Sequence, residues 1–180
     1  SGLAWTMFRP SVVFGREDSF LNLFAQVLRF SPMIALACPG ARFQPVFVED
    51  VAAAFVKSLA GLHSIGQSYD LCGPRVYTLR ELVEYVGAVT GRKRPIIGLN
   101  DALSYCQAAI MEWLPVTLMT RDNYRSMKVD SVCGCNFPFG IAPAALEAVA
   151  PSWLGNRTPR QRYQQSRAQV RHDETVSRDS

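Results

Sequence analysis

Two stretches of this chain decide its fold: Thr6-Met7-Phe8-Arg9-Pro10-Ser11-Val12-Val13-Phe14-Gly15 and Phe43-Gln44-Pro45-Val46-Phe47-Val48-Glu49-Asp50-Val51-Ala52. Residues 3–8 mix Leu, Trp, Thr and Phe, a composition that favours a short buried strand. Arg9-Pro10 is expected to end that strand, since proline has no amide proton for a ladder and biases the residue before it toward extended geometry. In the second stretch Val46-Phe47-Val48 reads as a strand. Asp50 stands where an N-cap belongs, and Val51 to Leu59 follow at helical spacing until Gly61 offers a left-handed stop. That is a strand-to-helix junction, the repeating unit of an α/β fold.

The flanking sequence carries the same alternation. Ser19 is positioned to cap a helix over about 20–30, with Phe20, Leu21, Phe24, Val27 and Leu28 on its apolar face and Pro32 barring continuation. Ile34 to Cys38 read as a short extended segment closed by Pro39-Gly40, and Tyr69 to Cys72 as another before Gly73-Pro74. Thr78-Leu79-Arg80-Glu81 has the form of a capping box, and Leu79, Leu82, Val83 and Val86 then fall at i, i+3, i+4 and i+7 before Gly91. Further helices are expected from about Asp101 to Leu114, from Thr120 to Met127, and from Pro143 to Val149, with Pro151 ending the last.

Composition narrows the functional classes. With 48% apolar and 19% charged residues over 180 positions, the chain can bury one ordinary core, and no apolar run approaches the roughly 18 residues of a membrane span. The net charge of +4 comes mostly from Asn156–Ser180, where six arginines face three acids. This segment is poor in apolar residues and is expected to be a disordered basic tail, which argues against a nucleic-acid-binding surface on the body. The opening residues, with Arg9 and Pro10 breaking the apolar run, do not read as a signal peptide.

Few residues offer catalytic or metal chemistry by spacing alone. Five scattered cysteines, Cys38, Cys72, Cys106, Cys133 and Cys135, make no disulfide framework, and one Cys-Gly-Cys pair without a second pair lacks zinc-ligand spacing. They are expected to be inert thiols in a reducing cytoplasm. Two histidines, one of them in the tail, are too few for a histidine-rich metal site or a Ser/His/Asp hydrolase. Glu49-Asp50 is read as helix capping rather than as an acid/base pair, and Trp113 and Trp153 as packing residues. Arg9 is either a structural ion pair or a cofactor-side residue. Arg42 and Gln44, just before a strand, suit a phosphate or sugar hydroxyl, and loop solvation explains them equally well.

Taken together, the two opening stretches resemble the back half of the extended and atypical short-chain dehydrogenases/reductases, the superfamily of NAD(P)-dependent epimerases and dehydratases. The likeness continues through Tyr69-Asp70-Leu71-Cys72-Gly73-Pro74, Thr78-Leu79-Arg80-Glu81-Leu82-Val83, Thr120-Arg121-Asp122-Asn123 and Phe139-Gly140-Ile141-Ala142-Pro143-Ala144-Ala145-Leu146-Glu147. Within the superfamily it is similar to the atypical branch that includes the NAD(P)H-binding accessory subunit of respiratory complex I. The resemblance implies the C-terminal part of a Rossmann-like doubly wound fold with a small, mostly helical substrate-side subdomain, over residues 1–155. The dinucleotide-binding half is expected upstream of this sequence.

The resemblance also implies roles. Pro10, Ser11, Val12 and Val13 match the segment that flanks the nicotinamide of NAD or NADP, and Arg16, Phe20, Arg42 and Gln44 match positions facing a polar small-molecule substrate. Enzymes of the superfamily use a Tyr-x-x-x-Lys pair, the lysine lowering the tyrosine's pKa while hydride moves to or from the nicotinamide. Of six tyrosines, only Tyr124 has a lysine four residues on. It lies downstream of motifs that the pair should precede, so Tyr124 and Lys128 are read as a helical surface pair, and no catalytic residue is assigned. Three functions follow: the substrate side of an oxidoreductase or epimerase-like protein, a non-catalytic nucleotide-binding accessory subunit with a respiratory-chain partner, or a plain interaction or assembly module. The expected place is the cytoplasm or the periphery of the inner membrane.

Overall fold

A computed structural model of the chain describes residues 4–60, 62–100, 103 and 129–155. The expected helices over 101–114 and 120–127, Gly61, the Tyr124 and Lys128 pair and the basic tail lie outside the described residues.

In chain order the elements are β1 (Thr6–Pro10), β2 (Val13–Phe14), α1 (Ser19–Phe30), β3 (Ile34–Leu36), β4 (Arg42–Phe43), β5 (Val46–Phe47) and α2 (Val48–Leu59). They continue with β6 (Gln67–Leu71), β7 (Tyr77–Thr78), α3 (Leu79–Val89), β8 (Ile96–Gly98), α4 (Leu146–Val149) and α5 (Pro151–Leu154). Three of the strand pairs are parallel, β1 with β6, β2 with β5 and β3 with β8, and β4 with β7 is antiparallel. Parallel strands reached through helices are the expected α/β arrangement.

The longest ladder, β1 on β6, pairs Thr6 with Gln67 through Pro10 with Leu71. Here the structure corrects the expectation that Arg9-Pro10 ends the strand. The Ser11 amide donates to Leu71 O at 2.9 Å, so by strand alternation the nitrogen of Pro10 faces away from β6 and its missing proton costs the ladder nothing.

Helix starts are corrected in the same way. Asp18, not Ser19, caps α1: its carboxylate accepts from the Leu21 amide at 2.6 Å and from the Gly15 amide at 3.3 Å. A carboxylate satisfies two orphan donors and gains from the helix dipole, where a serine hydroxyl reaches one. Helix α2 begins directly at Val48 with Phe47 as N-cap, so Val48 is not strand and Asp50 is not a cap. Asp50 sits inside the first turn, and its carboxylate accepts from the Ala144 amide at 2.7 Å. That bond holds the backbone after Pro143 extended, and α4 starts only at Leu146. The helix before Pro151 ends at Val149 as expected, and Pro151 also opens α5 as a first-turn residue, a place where its lacking N–H is no loss.

Helix α3 follows its sequence signature. Thr78 Oγ1 accepts from the Glu81 amide at 3.2 Å while the Glu81 carboxylate accepts from the Thr78 amide at 2.7 Å. At the other end Gly91 adopts φ +69°, and the Arg92 amide returns to Gly87 O at 2.8 Å, closing a Schellman turn. The apolar stripe buries Leu79, Leu82, Val83 and Val86 against Leu21 and Leu28 of α1 and Leu146 of α4. Each such side chain contributes about 1.5–3 kcal/mol on burial. Trp153 packs near Phe14 and Phe47, with ring centroids 6.3 and 6.5 Å away.

The opposite flank is only half covered. Phe8 of β1 touches Phe55 of α2 and Tyr69 of β6, and Tyr69 meets Phe139. Beyond that cluster Trp5, Met7, Val56 and Leu59 stand in the open, Val56 at 68% and Leu59 at 87% exposure.

The cysteines are not all thiols. Cys72, just past β6, is bonded to Cys133, with Cα atoms 6.0 Å apart across 61 residues of sequence. Linear spacing hides this pairing because the fold, not the local chain, carries residues 131–133 to the end of β6.

Candidate functional site

The carboxyl ends of β1 and β6 finish side by side, and four chain segments meet there. The loop Pro10–Val13 leaves β1, with the Val12 carbonyl accepting from the Val46 amide at 2.9 Å. Its Ser11 hydroxyl donates to Ser131 O at 2.7 Å and lies 2.9 Å from the Ser131 hydroxyl. A parallel bridge between Phe43 and Ser131 brings in the third segment, and the Cys72–Cys133 bond the fourth.

Gln44 is the centre of this junction. Its Nε2 donates to Gly73 O at 2.6 Å and its Oε1 accepts from the Cys133 amide at 2.9 Å. The amide orientation is fixed by chemistry, since a backbone N–H can only donate and a carbonyl can only accept. Among the described residues the second Nε2 proton makes no further bond. Gly73 makes the close approach possible: a Cβ there would stand 1.8 Å from Pro45 O.

The other residues singled out by sequence reach this region unevenly. Phe20 packs edge-on to Phe24 at 5.3 Å and tilted against Phe43 at 5.7 Å, which sets α1 beside β4. Arg42 is exposed on β4, with its amide donating to Asp130 Oδ1 at 3.2 Å and its guanidinium 3.9 Å from the same carboxylate. Arg16 is exposed in the turn before α1, its carbonyl accepting from Asn22. Arg9 is a surface ion pair, its Nε 2.7 Å from Asp70 Oδ1, so the structural alternative holds for it.

Away from this junction, a concavity of about 510 Å³ lies along α3 among Arg75, Tyr77, Tyr85, Lys93, Arg94 and Glu147, and none of the site residues expected from sequence lines it. The Tyr77 hydroxyl donates to Glu147 Oε1 at 2.7 Å, and Arg75 lies over the Tyr77 ring with its guanidinium carbon 5.0 Å from the centroid. Burial, then the Glu147 hydrogen bond and its charge, push the Tyr77 pKa well up. Burial first and Glu147 second push Tyr85 up to about 12. Both phenols therefore stay protonated and act as donors at neutral pH. Sequence reasoning missed this cluster because Glu147 is 70 residues from Tyr77 and no local motif joins them.

The described residues carry a Rossmann-like fold: the dTDP-glucose 4,6-dehydratase DesIV of Streptomyces venezuelae, solved with NAD and TYD bound, superposes with a TM-score of 0.60. That match covers 85% of this chain and 43% of DesIV at 16% identity, a likeness of fold. The chain is similar to the mitochondrial NADH dehydrogenase [ubiquinone] 1 alpha subcomplex subunit 9 of Mus musculus, 38% identical over 88 residues. It is likewise similar to the Arabidopsis thaliana subunit of the same name, 42% identical over 83 residues. These matches take in 48% and 44% of this chain but only 23% and 20% of the two relatives. No family model matches the chain. The resemblance read from the sequence is thus matched in sequence by these relatives and in fold by DesIV. Among the described residues no helix is long and apolar enough to cross a membrane.

Proposed function

We propose that residues 1–155 form the substrate-side half of the cleft in an NAD(P)-binding protein of the epimerase/dehydratase type, and that residues 156–180 are an appended basic tail. The observation that carries this is the place of the Pro10–Val13 loop. It leaves the carboxyl end of a parallel strand, which is where open α/β sheets take their ligands. Backbone and small side chains of Pro10, Ser11, Val12 and Val13 line the nicotinamide end. Phe20, Arg16, Arg42 and the remaining Gln44 proton face a polar substrate, with arginine suited to an oxyanion.

The pyrophosphate anchor and the Tyr-x-x-x-Lys pair belong, in this reading, to a dinucleotide-binding half upstream. The half-covered flank supports it. Parallel sheets are normally buried on both faces, and Trp5, Met7, Phe55 and Val56 offer the apolar surface against which that half packs.

A second reading is favoured by the names of the curated relatives: the assembled protein holds NAD(P)H without catalysis, as an accessory subunit of a respiratory complex at the periphery of the inner membrane. Titration of this chain alone with NADH and NADPH tests the division of labour. Without the phosphate anchor its Kd is expected no tighter than about 1 mM, or about −4 kcal/mol, and a micromolar value would overturn the half-cleft reading. Hydride transfer to a polar carbonyl substrate by the assembled protein would favour the first reading over the second.

A further inference from the structure

The end of β6 gathers more sulfur than a disulfide needs. Oxygen of Asp70 and the sulfurs of Cys133 and Cys135 all lie within 4.8 Å of one another, and the sulfur of Cys72 is bonded to that of Cys133. We propose that, with the Cys72–Cys133 bond reduced, Cys72, Cys133, Cys135 and Asp70 bind a single thiophilic divalent cation of the Zn²⁺ class, and that the disulfide and the metal exclude one another.

The backbone sets this up from two sides. Asp70 and Cys72 are two residues apart at the end of an extended strand, so their side chains leave on the same face. Cys133 is held opposite by the hydrogen bond that its amide donates to Gln44 Oε1 at 2.9 Å, and by the adjacent Phe43–Ser131 bridge. Cys133 and Cys135 bring their sulfurs toward one point across Gly134, where the surroundings are open. Three sulfurs and one oxygen suit a tetrahedral site. With Zn–S near 2.3 Å, neighbouring ligand atoms in such a site are about 3.8 Å apart, so the Asp70, Cys133 and Cys135 atoms close by at most about 1 Å, while the sulfurs of Cys72 and Cys133 part from bonding contact once reduced.

Arg9 donates to Asp70 Oδ1, which orients the carboxylate and leaves its other oxygen for a metal. Three thiolates and a carboxylate around a dication carry a net charge of −2, and the Arg9 guanidinium offsets part of it. Cys135 and Gly134 are exposed, giving the ion a path in. The Cys-x-Cys spacing alone does not predict a site, because the remaining ligands come from a strand 61 residues earlier.

The exchange balances. An external dithiol gives two electrons and two protons to the Cys72–Cys133 bond and becomes a disulfide itself. Metal binding then releases the three thiol protons to solvent. Reoxidation requires the metal to leave, since Cys72 and Cys133 cannot be disulfide and thiolate ligands together.

The test is a titration of the full chain with Co²⁺ and then Zn²⁺, after reduction by a phosphine and, in parallel, after oxidation by diamide. The expected result is one equivalent of Co²⁺ bound by the reduced chain with thiolate-to-cobalt charge-transfer absorption, displaced by Zn²⁺, and none bound by the oxidised chain. Cys135→Ser and Asp70→Asn, both at the surface and checked for fold by circular dichroism, should weaken binding at least about tenfold. Cys38→Ser, outside the cluster, should not. Absence of the charge-transfer band in the reduced chain, equal binding by the oxidised chain, or loss of binding on Cys38→Ser with Cys135→Ser unaffected would each overturn the proposal.

Discussion

The Tyr77 hydroxyl and the Glu147 carboxylate meet at 2.7 Å, joining the strand that leads into α3 to the helix that covers its end. The bond is charge-assisted, and its acceptor is also 3.3 Å from Arg75. Tyr77→Phe removes the donor and leaves an exposed carboxylate that water can solvate. The expected cost is about 1–2 kcal/mol, read as a shifted midpoint in a urea titration. An unchanged midpoint would show that α4 is held by its apolar contacts alone.

The same tyrosines set an alkaline limit. A phenol whose pKa is raised in the folded state contributes stability that is fully present below its unfolded value, 10.0, and lost as pH rises through the folded one. Stability is therefore expected to be level from neutral pH to about pH 10 and to fall above it, and the Tyr77→Phe, Tyr85→Phe double variant should lose that decline. Denaturant titrations between pH 7 and 11 check it; a variant that falls as steeply as the parent protein would assign the alkaline limb to other groups.

Thr78→Ala takes away one half of the capping box at the start of α3 and is expected to cost about 0.5–2 kcal/mol without changing the fold. The Thr78 backbone and hydroxyl bonds hold the Glu81 carboxyl below its usual pKa. The contribution of the box is then present above the ordinary carboxylate range and fades as pH falls through the lowered value. Equal losses for Thr78→Ala at neutral pH and in strong acid would contradict that coupling.

Gly73→Ala should be far more damaging than its size suggests. Its Cβ would meet backbone, Pro45 O at 1.8 Å, and backbone cannot rotate away. About 3 kcal/mol or more is expected, together with loss of the Gln44 contacts to Gly73 and Cys133. Hydrogen exchange would show the latter as faster exchange of the Cys133 amide, and slow exchange retained in a stable variant would mean the loop has another way to close.

Reducing the Cys72–Cys133 bond in metal-free buffer is expected to cost about 2–4 kcal/mol, because the freed loop of 61 residues regains entropy in the unfolded chain. Thermal melts with and without reductant measure it. A melting temperature that does not move would place the bond in a segment that contributes nothing to global stability.

The sequence was most readable where the determining interactions are local. The α3 box needs Thr78 and Glu81 three residues apart, and its apolar stripe needs only helical spacing, so both appear in the structure as expected. Caps decided by tertiary contact were misread. Asp50 looks like an N-cap in isolation, yet it is drawn into the first turn and spent on Ala144, 94 residues on. The Cys72–Cys133 pair and the Tyr77–Glu147 contact were invisible for the same reason. Pro10 shows a subtler failure: proline ends a strand only if its nitrogen faces the partner, and that parity depends on which side β6 lies. The Pro10–Val13 loop itself was legible because its position relative to a parallel strand follows from the α/β alternation.

The bond between Ser11 and Ser131 spans 120 residues, and this has a consequence for how the polypeptide is made. On the ribosome α1 and α3 can pack as soon as Val89 has emerged, since their contacts are comparatively close in sequence. The junction at the end of β1 must wait until Ser131 has cleared the exit tunnel. A nascent chain halted before that point would hold α1 against α3 and an unclosed Ser11 loop, so the end of β1 stays open to a protease until the segment around Ser131 arrives.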